Sequence, residues 1–178
     1  MNRDDVARAF LARSRELLTS DYLPRVERCL EKLSDAEIWH RPAPDANSVG
    51  NLMLHLSGNL RQWVVSGLGG EADARQRQTE FDERGPLPRG EVLARLRATV
   101  EEAAEVLSRL PPESLLERRR IQSLDVSVLQ AVFHAVEHFS MHTGQIILLT
   151  RMMKGALNFY DFSDGTPRTR WHKRNDER

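Results

Sequence analysis

Apolar residues in this chain return every three to four positions along almost its whole length. Val6, Phe10, Leu17, Tyr22, Val26, Leu30 and Leu33 keep that spacing, which is the period of an amphipathic helix and not of a strand. A second stripe runs through Val49, Leu52, Met53, Leu56, Leu60, Trp63 and Val64, and a third through Val92, Leu96, Val100, Ala103 and Leu107. A fourth helix is expected from about Val128 to Lys154. No alternating segment is longer than a few residues, and no internal repeat is visible. A chain whose apolar surface lies in helical stripes must bury it helix against helix. The expectation is therefore an all-α four-helix bundle, up-and-down or with a crossover.

Punctuation in the sequence sets the boundaries. Pro24 falls inside the first stripe and predicts a kink, or a restart with Asp21 as the cap. "RPAPDANS" ends that region, and Ser48 is a good N-cap for the second helix. "GLGG" closes it. The stretch "EADARQRQTEFDERGPLPRG", residues 71–90, reads as a long polar connection between the second and third helices. Connections of that length are usually functional or mobile. The third helix should run from about Glu91 to Arg109, where "PPE" stops it. "RRRIQSLDVS" reads as the connection to the fourth, with Gly155 placed as a C′ glycine. The 178 residues suit one domain, taken as 1–165, with a polar basic tail over 166–178.

Charge narrows the partners. Lysine plus arginine number 26 and aspartate plus glutamate 26, so nothing favours a nucleic acid or an anionic membrane surface. The first residues, "MNRDDVARAFLARSRELL", contain no continuous apolar core of a signal peptide, and no run approaches the roughly 18 apolar residues of a membrane span. A single cysteine, Cys29, excludes an internal disulfide and reads as a buried thiol beside Val26, Leu30 and Leu33. The expectation is a cytoplasmic protein with a small-molecule partner, no nucleic acid and no membrane.

The chemistry concentrates in "HAVEHFSMHTGQ", residues 134–145. His134, His138 and His142 form a ladder on one helix face, with rungs roughly 6 Å apart. Metal–nitrogen bonds are about 2.0–2.1 Å, so one ion can join two adjacent rungs but not all three. A third ligand must come from another element, and His55 in "NLMLHLSGN" borders the second apolar stripe. Three histidines would leave a position open for water or substrate. The plainer alternative is a satisfied, partly buried His55 and a solvated ladder. A further alternative is the inverted zincin pattern in "HAVEH", with His134 and His138 as ligands and Glu137 as general base. That pattern needs a ligand further downstream and leaves His55 and His142 without a role.

"LMLHLSGNLRQW" followed by "HAVEHFSMHTGQIILL" resembles the DinB/YfiT-like superfamily of four-helix proteins. "WHRPAPDANSVGNL", "GGEADARQRQTEF" and "FYD" are similar to a subgroup of unknown function within it, and the resemblance spans roughly residues 8–165. It implies His55, His138 and His142 as metal ligands, with His134 off the metal and lining the pocket. It implies one divalent ion, zinc or nickel foremost and iron or another as alternatives. It also implies a homodimer and, by similarity to some members, a thiol-dependent transferase or isomerase using a low-molecular-weight thiol. The expected function is a metal-dependent enzyme of that kind or a hydrolase. The alternative is a metal-binding sensor or interaction bundle without catalysis.

Around such a site the ligand rings need partners that fix their tautomers. Asn59, one turn after His55, and Gln145, within a turn of His142, are the candidates. Glu137 could orient His134 or be a surface charge. Of Arg75, Arg77 and Glu80, an arginine could bind an anionic group of a substrate bidentately; the favoured reading makes all three salt-bridged loop residues that hold Phe81 against the bundle. Trp39 is expected to anchor the first interhelix loop.

Overall fold

In the computed structural model, which describes residues 2–85, 87–161, 163, 165, 168 and 169, the apolar stripes become helices packed on one another. Helix α1 (Arg3–Glu16) starts at a capping box between Asn2 and Asp5. It passes through a π-helical turn (Leu17–Tyr22) into α2 (Leu23–Leu30) without a break. Pro24 does not restart the helix from Asp21. Instead the Leu23 N–H donates to the Leu18 carbonyl five residues back, a wider turn that accommodates the proline inside a continuing helix. Asp21 pairs with Arg25 at 2.6 Å.

Ser48 and Asn51 form the expected capping box of α3 (Val49–Leu60). A second π-helical turn (Arg61–Ser66) extends it. The 71–90 connection carries a short helix, α4 (Arg77–Asp82), before α5 (Arg89–Arg109). Ser127 caps α6 (Val128–Lys154), and Gly155, at φ 78°, ends it as expected. α3 packs against α4, α5 and α6, α6 also against α2, and α1 against α5. Leu18, Val26, Ile38, Met53, Leu56, Leu96, Val132, Phe139 and Ile146 are fully buried between these helices. The architecture is an all-α bundle with a long connection between its second and third long helices. Among the described residues no helix is long and apolar enough to cross a membrane. Cys29 is a buried free thiol.

One feature departs from the expected connection. "RRRIQSLDVS" is a hairpin, β1 (Arg118–Ile121) antiparallel to β2 (Leu124–Ser127). Its turn residues Gln122 and Ser123 sit at φ 52° and 66°, positions normally signalled by Asn-Gly. The basic C-terminal stretch expected over 166–178 lies outside the described residues, apart from Arg168 and Thr169. These two form β4, paired with β3 (Tyr160–Asp161).

The 71–90 connection is pinned to the bundle. Arg41 donates to the Phe81 carbonyl at 2.7 Å, and the Asn51 amide donates to the carbonyls of Glu80 and Glu83, each at 2.9 Å. Trp39 Nε1 donates to the Leu87 carbonyl at 2.9 Å. Its ring fills the space over Gly50, where an added Cβ would come within 2.7 Å. Trp39 thus anchors the connection as well as its own loop.

Candidate metal centre

The Ser48 cap and the apolar stripe of α3 fix that helix against α6, and this turns His55 inward with Leu52 and Leu56. On α6, His138 and His142 sit one turn apart on the face that meets α3. His55 Nε2 lies 3.1 Å from His138 Nε2, and His142 Nε2 lies 3.2 Å from the same atom. The three residues form a group whose ligand atoms all lie within 4.8 Å of one another. Two nitrogens bound to one tetrahedral ion at 2.0–2.1 Å stand about 3.3 Å apart, so the spacing fits a shared cation.

Hydrogen bonding on the outer edges settles which nitrogens face inward. His55 Nδ1 donates to Glu80 Oε2 at 2.8 Å, and His142 Nδ1 donates to Gln145 Oε1 at 2.6 Å. Both rings therefore turn the lone pair of Nε2 towards His138 Nε2. That nitrogen can carry at most one proton, enough for one of its two neighbours. A cation among the three satisfies all of them. The other nitrogen of the ring, His138 Nδ1, is buried with no hydrogen-bond partner among the described residues.

Electrostatics favour neutral rings. Burial pushes His138 down to about 3, helped by the neighbouring His142 and His55 rings. Burial also lowers His142, against the opposing effect of the hydrogen bond it donates to Gln145. Neutral imidazoles are the state a metal requires. Glu80 is the counterpart: burial pushes its carboxyl up, but the hydrogen bonds from Arg75 and His55 together outweigh that and hold it below its ordinary value.

Glu80 is the functional residue whose partner the sequence did not reveal. The sequence pattern groups it with Arg75 and Arg77, and the structure makes it the carboxylate that orients His55. Arg75 grips it with two bonds, Nε to Oε1 at 2.7 Å and Nη2 to Oε2 at 2.8 Å. Gly58 permits this: a Cβ there would lie 1.9 Å from Glu80 Oε1 and 2.9 Å from Arg75 Nε. The Phe81 ring lies 4.7 Å from that of His55, and the Arg77 guanidinium sits 4.8 Å above Phe81. The salt-bridged reading therefore describes Arg75 and Glu80, whereas Arg77 stacks over Phe81 and forms no ion pair among the described residues, and this part of the connection closes over His55.

Asn59 does not hold His55 in the way expected. Its amide faces His134 Nε2 at 3.4 Å, and the Trp63 ring covers His134 at 4.1 Å. Burial lowers the His134 pKa, while the negative charge of Glu137 opposes the shift. Glu137 itself is exposed. Among the described residues, the group that closes joins His138 to His55 and His142 and leaves out His134, which is not the ligand pair of the inverted zincin pattern.

A family model described as "Protein of unknown function (DUF1572)" matches residues 5–163. The fold is similar to that of a DinB-like protein from Bacillus cereus ATCC 10987. That match has a TM-score of 0.60 at 17% identity, covering 74% of this chain and 85% of that one. It is also similar to a conserved protein from Enterococcus faecalis, with a TM-score of 0.64 at 20% identity, covering 88% of this chain and 99% of that one. Among curated proteins none matches.

Proposed function

The chain belongs to the family described as Protein of unknown function (DUF1572), which is DinB-like in fold, and from that premise we propose that it is a metal-dependent enzyme whose divalent ion is held by His55, His138 and His142. The observation that carries this reading is the convergence of two Nε2 lone pairs, fixed from behind by Glu80 and Gln145, on the nitrogen of a third, half-buried ring. Zinc and nickel suit three imidazoles best, with iron as an alternative. A metal held by neutral ligands would lower the pKa of a bound water or thiol, or polarise a carbonyl. The protein's own part is to position and to exclude water. Glu80 and Gln145 hold two rings in one tautomer. Phe81 shields His55 from one side. Asn59, His134 and Trp63 form a polar wall one turn along α6 from His138, placed to orient a small substrate.

The reaction class that fits best is transfer or isomerisation assisted by a low-molecular-weight thiol, with hydrolysis as the alternative. Three protein ligands leave a tetrahedral position for a thiol or water, as catalytic sites do. We further infer a cytoplasmic homodimer. Phe133, Met141, Leu148 and Met152 are all more than half exposed along α6, and Gly144 among them has open space around it for close approach of a second copy. The test is elemental analysis of natively purified protein, then an activity screen of the metal-replete form with and without cellular thiols. One zinc or nickel per chain and turnover that requires it are expected. Absence of metal from natively purified protein, together with failure to bind added zinc or nickel, would refute the reading.

A further inference from the structure

A second concavity lies behind the metal site. A cleft of about 370 Å³ opens between the π-helical end of α3, the 71–80 part of the connection and α5. Its volume is in the range of small-molecule sites. None of the clustered histidines lines it; the Arg75–Glu80 pair forms the wall between the two. The charges lining it are Arg61, Arg75 and Arg95 against Asp73 and Glu80.

The two acids are already used internally. Both oxygens of Glu80 are held by Arg75, and one also by His55. Asp73 accepts from Gln62 Nε2 at 2.7 Å and from the Arg75 backbone N–H at 3.1 Å. The cations are not balanced in the same way. Arg61 gives one Nη to Glu102, which lies outside the cleft lining. Arg95 forms no ion pair among the described residues. Positive charge is therefore left over at the mouth of a concave site whose negative charge is spent on its own wall.

We propose that this cleft binds a small oxyanion, a carboxylate or a phosphate, on Arg95 and Arg61, as a ligand site separate from the metal centre. Guanidinium groups are suited to this because their planar donors match the paired oxygens of such groups. The Arg75–Glu80 wall keeps the bound anion from touching the metal ligands. The protein would then hold two small-molecule sites that share one wall.

The test uses full-length protein stripped of metal, so it does not depend on the proposed metal chemistry. Inorganic phosphate and succinate are titrated separately at low ionic strength, with chloride as control, and amide chemical shifts are followed. Saturable one-site binding of phosphate or succinate is expected, with shifts centred on residues 58–62, 73–80 and 95. Arg95→Ala should weaken it about tenfold or more, as loss of a charge-assisted contact does, and Arg95→Lys should recover part of the loss. His138→Ala should leave it unchanged, so failure of the metal reading and failure of this one are distinguishable. Shifts that do not saturate, that chloride reproduces, or that persist in a folded Arg95→Ala variant would overturn the proposal.

Discussion

Gly58→Ala should weaken metal binding although residue 58 is not one of the three clustered histidines. The new Cβ would sit 1.9 Å from Glu80 Oε1 and 2.9 Å from Arg75 Nε, well inside van der Waals contact. The obstructed atom is the end of a flexible side chain, so the carboxylate moves and the helix stays. Moving it clear by more than 1 Å stretches the 2.7 Å bond from Arg75 and the 2.8 Å bond from His55 beyond hydrogen-bonding length. His55 then loses the partner that fixes its tautomer. Loss of such outer partners typically costs about 10–100-fold in metal affinity, or about 1.4–2.7 kcal/mol. Alanine is also the better helix former by about 1 kcal/mol, so helicity should hold or rise while affinity falls. The assay is competition for zinc against a chromophoric chelator, run on wild type, Gly58→Ala, Glu80→Ala and the double variant. If the glycine acts through Glu80, the double variant should bind like Glu80→Ala alone, because the two losses share one cause. A Gly58→Ala protein with wild-type affinity, or losses that simply add, would refute the reasoning.

Other outcomes follow from the same geometry. His138→Ala should abolish stoichiometric zinc binding, whereas His134→Ala should leave it nearly intact, read by elemental analysis; equal loss in both would remove the ligand assignment. Metal-free protein should stay helical by circular dichroism, and zinc at one hundred times its Kd should stabilise it by about 2.7 kcal/mol, seen as a raised melting temperature. Metal-free stability should also fall with acid: His138 titrates near 3 when folded and near 6.5 when unfolded. The unfolded chain therefore binds the extra proton between those values, and stability is lost as pH drops from about 6.5 towards 3. Glu80 acts in the same direction lower down, since its folded value is depressed. Denaturant titrations at several pH values check the slope, and a flat or rising profile on acidification would contradict it.

The bundle could be read from the sequence because each long helix buries one stripe, and a stripe leaves its period in the chain. Ser48 and Gly155 marked ends for local reasons, a side-chain cap and a left-handed backbone. The histidines could be related because two stand on one face of one helix, and a third was needed from elsewhere. What the sequence hid is what depends on distance along the chain or on a single extra residue. Glu80 reaches His55 across 25 positions, and no spacing rule links a carboxylate on the short helix α4 to a ring on α3. The hairpin turn at Gln122 and Ser123 lacks the glycine or asparagine that usually announces it. Gly58 reads as a mild helix breaker until the atoms pressed against it are seen.

The π-helical turns are the least visible and bear most directly on the site. An extra residue in one turn rotates everything after it relative to the residues before, without changing the apolar content of the stripe. In α3 the rotation comes directly after the turn that carries Asn59. Upstream, His55 and Asn59 face α6; downstream, Trp63 is still buried, and its ring lies 4.1 Å from that of His134. Gln62 on the same π turn points the other way. It accepts from Arg75 Nη1 at 2.9 Å and donates to Asp73 at 2.7 Å. One turn thus braces both sides of the metal centre, the interior wall through Trp63 and the outer Arg75–Glu80 pair through Gln62. Deleting a single residue within Arg61–Ser66 would restore α-helical phase and misdirect both. The His55–Glu80 contact and zinc affinity should then be lost while α5 and α6 remain helical. A deletion variant that keeps wild-type zinc affinity would show that the turn has no part in building the site.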